Sequence, residues 1–244
     1  MAHASVAMYH QWAAFHNQAG LAGIGQPGFA LHTENRFMVP GMSLAAMACV
    51  YPTSAGSVGL SLRHFGNQLY REGTAGISYA HRFGDQWSAG VQLSYHLVSL
   101  GHGLGSKSLF TAEVGIIYHI LPGLQVGTHI YNPNRVLLKR YDYLDLDEYH
   151  PTIIRTGFLY TFSSDILLAA EAVKDIRHQA SYRFGLEYPF GERFWLRAGL
   201  STHPMENSFG FGLTWGNWCF DMATTYHHVL GYSPQLGALY TLER

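Results

Sequence analysis

From Gly28 onward, large apolar residues recur at every second position with small or polar residues between them. That is the period of strands with two unlike faces. The clearest run is 86–97, where Trp87, Ala89, Val91, Leu93, Tyr95 and Leu97 oppose Gln86, Ser88, Gly90, Gln92, Ser94 and His96. Further on, Tyr182, Phe184, Leu186, Tyr188 and Phe190 oppose Arg183, Gly185 and Glu187. Phe209, Phe211, Leu213 and Trp215 oppose Ser208, Gly210, Gly212 and Thr214. These runs predict about fourteen strands, an even number as in single-chain bacterial barrels. Their spans are 28–35, 40–51, 57–65, 74–83, 86–99, 107–120, 124–131, 151–162, 165–174, 180–190, 193–202, 207–215, 218–229 and 233–242.

The connections alternate in length. Gly84-Asp85, Leu121 to Gly123, Ser163-Ser164, Gly191-Glu192 and Gly216-Asn217 are tight, while Gly66 to Gly73, Leu100 to Ser106 and above all Asn132 to His150 are longer or more polar. Short turns on one rim and longer loops on the other are the asymmetry of an outer-membrane barrel. Aromatic residues gather beside the tight turns: Phe83 with Trp87, Tyr160 with Phe162, Phe190 with Phe194, Trp215 with Trp218. An interfacial girdle would lie there.

Composition agrees with this pattern. The chain has 244 residues, 48% hydrophobic and 14% aromatic but only 13% charged. Mean hydropathy is near zero, and no apolar run is long enough for a membrane-spanning helix. Such a balance suits a barrel whose strands are apolar on one face only; a soluble β-sandwich is the alternative, but its wet faces would carry more Lys and Glu. A net charge of −1 leaves no footprint for nucleic acid. The predicted fold is therefore all-β, a transmembrane antiparallel up-and-down barrel over residues 28–244, preceded by a short N-terminal plug segment, 1–27. The start, MAHASVAMYHQW, has no charged region followed by an apolar one. For a protein of the bacterial outer membrane, Met1 is then expected to be internal to a precursor whose export signal has been removed.

The inward positions are unusually small, including Gly59, Gly90, Gly115, Gly127, Gly157, Gly185 and Gly199. Glycine in a strand marks close approach of another backbone. The segment before the first strand, with Trp12, Phe15, Asn17 and Gly20, is expected to pack on them and plug the lumen. Arg155, Glu171, Arg183, Glu187 and Arg197 fall on the inward faces of consecutive strands and predict a structural ladder of ion pairs, since charges in a restricted space need partners.

Signs of catalysis are missing. There is no HExxH, CxxC or GxSxG pattern and no phosphate-binding glycine loop. The fifteen histidines are scattered. Cys49 and Cys219 are far apart in strand order and read as two packed thiols. Asp142, Asp145, Asp147 and Glu148 form a solvated acidic loop and a possible contact surface; they lack the ordered spacing of a calcium loop. No enzyme, metal or cofactor is expected.

The opening ASVAMYHQWAAFHNQAGLA resembles the Asn-Pro-Ala-Gly-Leu-Ala motif of FadL-like outer-membrane proteins and of the related PorV/PorQ-type proteins of Bacteroidota. Asn17, Ala19, Gly20, Leu21 and Ala22 match, while Gln18 replaces the proline. YRFGLEYPF, LRAGLST and FGFGLTWG are similar to the last strands of the same group. The resemblance implies a fourteen-stranded barrel with an N-terminal plug and two candidate functions. One is a non-enzymatic accessory subunit of a secretion or outer-membrane biogenesis assembly, binding other outer-membrane proteins as well as membrane lipid. The alternative is a passive transporter of hydrophobic small molecules. With only Asn132 to His150 long enough to form a capture site, the accessory subunit is the expected function.

Overall fold

The computed structural model describes residues 1–101, 105–141 and 146–242. Fourteen strands form one closed antiparallel barrel: β1 (Gly28–Asn35), β2 (Ser43–Thr53), β3 (Gly56–Gly66), β4 (Tyr70–Phe83), β5 (Trp87–Leu100), β6 (Gly105–Leu121), β7 (Leu124–Tyr131), β10 (Ile153–Thr161), β11 (Leu167–Asp175), β12 (Ser181–Phe190), β13 (Phe194–Thr202), β14 (Met205–Trp215), β15 (Trp218–His227) and β16 (Gly231–Thr241). Each strand of the wall pairs with the next one along the chain, β7 pairing with β10. β1 closes the ring on β16, with Gly28 opposite Thr241 and Glu34 opposite Gln235. Observed and expected spans agree at every strand to within a few residues, because a wall with lipid on one side enforces strict alternation. The long loop differs from expectation: β8 (Leu137–Tyr141) and β9 (Leu146–Tyr149) form a separate hairpin. The sequence there, LLKRY and LDEY, does not keep a sustained two-faced pattern.

The outward face is apolar. Ile77, Phe209 and Trp215 are 65%, 61% and 72% exposed. Leaving so many large side chains uncovered would be costly in water, whereas hydrocarbon accepts them, and ring closure satisfies the main-chain polar groups that lipid cannot. Beside the tight turns, Trp87 packs on Tyr118 at 4.3 Å between ring centroids, and Tyr160 meets Phe162 at 4.6 Å. Trp218 contacts Phe29 and Tyr240 at 5.9 and 4.7 Å, so the girdle also covers the seam where the ring closes.

The inward face is small and polar, and residues 1–27 lie within it. Two short 3-10 turns, Gln11–Phe15 and Gln18–Gly23, carry the segment across the lumen. Ala13, Ala14 and Leu21 pack with Ala48, Val50 and Ala80 of β2 and β4. A side chain at Gly90 would meet the main chain of Gln18 at 2.4 Å, and one at Gly127 the Val6 carbonyl at 2.3 Å.

Candidate functional site: a lipid-facing groove and the segment behind it

A concavity of about 980 Å³ lies against the wall formed by β15, β16 and β1 to β5. Its lining comes from outward positions, among them Leu31, Met47, Leu62, Tyr95, Phe220, Met222 and Leu236. The inward residues that border it, such as His32, Arg63, Thr74 and Asp221, each stand between two outward lining residues in sequence. Alternation turns their side chains to the lumen, so it is their main chain that the groove meets. The concavity is thus an apolar groove on the lipid side, within the roughly 300–1,000 Å³ typical of small-molecule sites. Its floor mixes small residues, Ala45, Gly73, Ala75 and Ala238, with the side chains of Leu31, Met47 and Leu62.

The ladder beneath the floor is unbroken. Leu31 pairs with Met47, Met47 with Leu62, and Leu62 with Ala75. One layer of main chain separates groove from lumen, and the N-terminal segment supports that layer from within. Trp12 reaches His32 on β1 at 5.7 Å and Phe15 at 6.1 Å between centroids.

Asn17, fully buried, ties the segment together. Its Nδ2 donates to the Val6 carbonyl at 2.6 Å and reaches the Ile116 and Thr128 carbonyls of the wall at 3.3 and 3.4 Å, while its Oδ1 accepts from Ala19 N. At Gly20 a Cβ would lie 2.2 Å from the Met8 carbonyl, so only glycine lets the two stretches of the segment touch. Two residues that alternation alone did not single out anchor it further. Gln125 donates to the Ala7 carbonyl at 2.7 Å, and Gln18 donates to Glu113 at 3.0 Å. The two pairs bring together residues 118 and 95 positions apart in sequence, which a pattern read strand by strand does not connect.

The inward charges group unevenly. Arg197 bonds both Glu187, at 2.5 Å, and Asp221. Glu171 stands 3.6 Å from Arg183 but accepts from Ser5 N and Val6 N at 2.9 and 3.0 Å. Arg155 is apart from these pairs, with its Nη1 3.5 Å from His16 Nδ1. Toward the long-loop rim, Tyr131 joins His96 and His150 at 3.3 and 2.7 Å; burial lowers the His150 pKa, which favours the neutral ring. Asp142 and Asp145 fall outside the described residues. In the register of the β8–β9 hairpin, Asp147 lies opposite Arg140, and exposed Glu148 opposite Lys139. Among the described residues no group of three or more His, Cys, Asp or Glu could hold a metal ion, and both cysteines are free.

A closed fourteen-stranded antiparallel barrel of this kind has the fold of the FadL-like outer-membrane barrels. The solved structures it resembles include the toluene transporter TodX of Pseudomonas putida, 11% identical over 96% of this chain and 95% of that one, with a TM-score of 0.73. The Ralstonia pickettii toluene transporter TbuX is 12% identical over 99% and 95%, with a TM-score of 0.71. A Pseudomonas aeruginosa FadL homologue is 13% identical over 99% and 95%, with a TM-score of 0.65. No protein-family model matches the sequence, and no curated protein does. At such identities the likeness is one of fold. It supports the FadL-like half of the sequence resemblance and adds nothing to the PorV/PorQ-type half or its Bacteroidota ascription.

These neighbours correct the expected function. An accessory subunit for secretion or biogenesis was inferred from the scarcity of long outer loops. The whole-length neighbours are instead transporters of small hydrophobic molecules. The physical reason is that the apolar concavity here is built from the strands of the wall and needs no large loop.

Proposed function

We propose that this chain is a non-enzymatic outer-membrane channel for small hydrophobic molecules, with the wall groove as the membrane-side end of the route and residues 1–27 as its plug. The observation that carries the reading is the apolar groove of about 980 Å³, lined by outward side chains such as Leu31, Met47, Leu62 and Phe220. A hydrophobic solute gains nothing from a polar lumen but is accepted by an apolar groove that opens directly to hydrocarbon. Because the groove faces lipid, occupancy is driven by close packing between its walls rather than by release of water. The similar structures of a toluene transporter and a monoaromatic hydrocarbon channel support the same chemical class. The continuous ladder and the segment behind it describe a closed state; passage needs the segment to move.

The test is toluene uptake by cells carrying the protein in the outer membrane. Ala45→Trp with Ala75→Trp fills the groove floor while keeping the outward face apolar. Uptake above that of cells lacking the protein, and its loss in the filled variant at equal barrel abundance, is the expected result. Equal uptake with and without the protein would remove the reading.

A further inference from the structure

We infer that Glu171 is a two-position latch: its carboxylate holds the N-terminal segment in the lumen through Ser5 and Val6, and turns to Arg183 when that segment leaves. Oε2 accepts both main-chain N–H groups, at 2.9 and 3.0 Å. The residue is only 3% exposed. Oε1 is buried without a hydrogen-bond partner, 3.6 Å from Arg183 Nη1. One oxygen is therefore committed to the segment and the other points at an arginine just beyond bonding range.

The second position requires little motion. Glu171 and Arg183 are direct cross-strand partners of β11 and β12, so rotation of the two side chains closes the gap with the ladder intact. On the other side Glu171 faces Gly157 of β10. A Cβ there would meet the Ala170 carbonyl at 2.3 Å, Glu171 Cα at 2.9 Å and Val6 Cγ1 at 3.0 Å, so the glycine leaves space for the main chain of β11 and for the segment.

Glu113, the other buried carboxylate that touches the segment, behaves differently. It bonds Gln92 at 2.9 Å and Ser94 at 3.0 Å and stands 3.1 Å from His129, all on the wall, and only Gln18 reaches it from the segment. Removing the segment leaves Glu113 satisfied. The same removal strips Glu171 of both its hydrogen bonds and opens it to the lumen, and a carboxylate in that confined space takes the nearest cation as its replacement partner. Arg183 is that partner, and its presence keeps the displaced state accessible.

This inference rests on reading residues 1–27 as a movable plug, and its test uses no solute, so it can fail while the channel reading stands. Ser5→Cys is introduced into the full chain with Cys49→Ala and Cys219→Ala, and the protein is reconstituted in phosphatidylcholine vesicles. The rate at which a charged methanethiosulfonate reagent modifies the introduced thiol reports displacement of the segment. Glu171→Gln is expected to raise the rate about tenfold, since the charge assistance lost by two buried main-chain hydrogen bonds outweighs the single solvated ion pair lost from the displaced state. Arg183→Gln is expected to lower it, because the displaced state loses its partner. Heat-dependent electrophoretic migration establishes that each variant is a closed barrel. An unchanged rate in Glu171→Gln, or an increase in both variants, would overturn the latch; the second outcome is what general loosening produces.

Discussion

At the scale of single residues, the interior is organised by where side chains are missing and where main-chain groups find partners. Gly90 and Gly127 admit the backbone of the N-terminal segment to within contact of the wall. Asn17 then bonds main-chain groups that would otherwise be buried and unsatisfied. Replacing Asn17 by Ala leaves the Val6 carbonyl and Ala19 N–H short of partners, at a cost of roughly 1–3 kcal/mol for a buried group. Residues 1–27 contain no Lys or Arg but include Tyr9, Trp12 and Phe15, so chymotrypsin is the suitable probe. Asn17→Ala is expected to be cleaved in this segment several-fold faster than the parent, roughly what a loss of 1 kcal/mol or more implies, while the barrel strands stay resistant. The sequence motif marked Asn17 and Gly20, but the distances that explain them belong to the folded chain.

At the scale of elements, each strand does two jobs, and alternation keeps them separate. Leu93 on β5 is 58% exposed toward lipid, between Ile77 of β4 and Ala112 of β6. Placing Arg there is expected to cost roughly 2–4 kcal/mol if the position is at the bilayer midplane. Lower folding yield into vesicles, with lesser loss for Gln235→Arg at a half-buried position on the lumen side, checks the assignment of faces. Strand placement was legible in the sequence because a lipid-facing row tolerates few exceptions. The β8–β9 hairpin was not, since a solvated loop imposes no such rule on its residues.

At the scale of the whole molecule, closure of the ring decides stability. β16 pairs along its length with both β15 and β1. A chain ending at Leu230 would leave two strand edges with unpaired N–H and C=O groups in hydrocarbon, each group costing several kcal/mol. Loss of the compact, heat-sensitive form in electrophoresis and of protease resistance in vesicles is the expected outcome. A truncated chain that still migrated as a closed barrel would contradict this account.

The sequence by itself determined the strands, their two faces, the alternation of short and long connections and the apolar character of the surroundings. All of these follow from a period of two read along one strand at a time. It did not determine the groove, which depends on how seven neighbouring strands curve and bring their outward residues together. Nor did it determine which inward charges meet, because Glu171 contacts Ser5 across 166 positions of chain. The inference of a secretion subunit failed at that boundary: loop length is visible in a sequence, whereas the curvature of a wall exists only after the ring has closed.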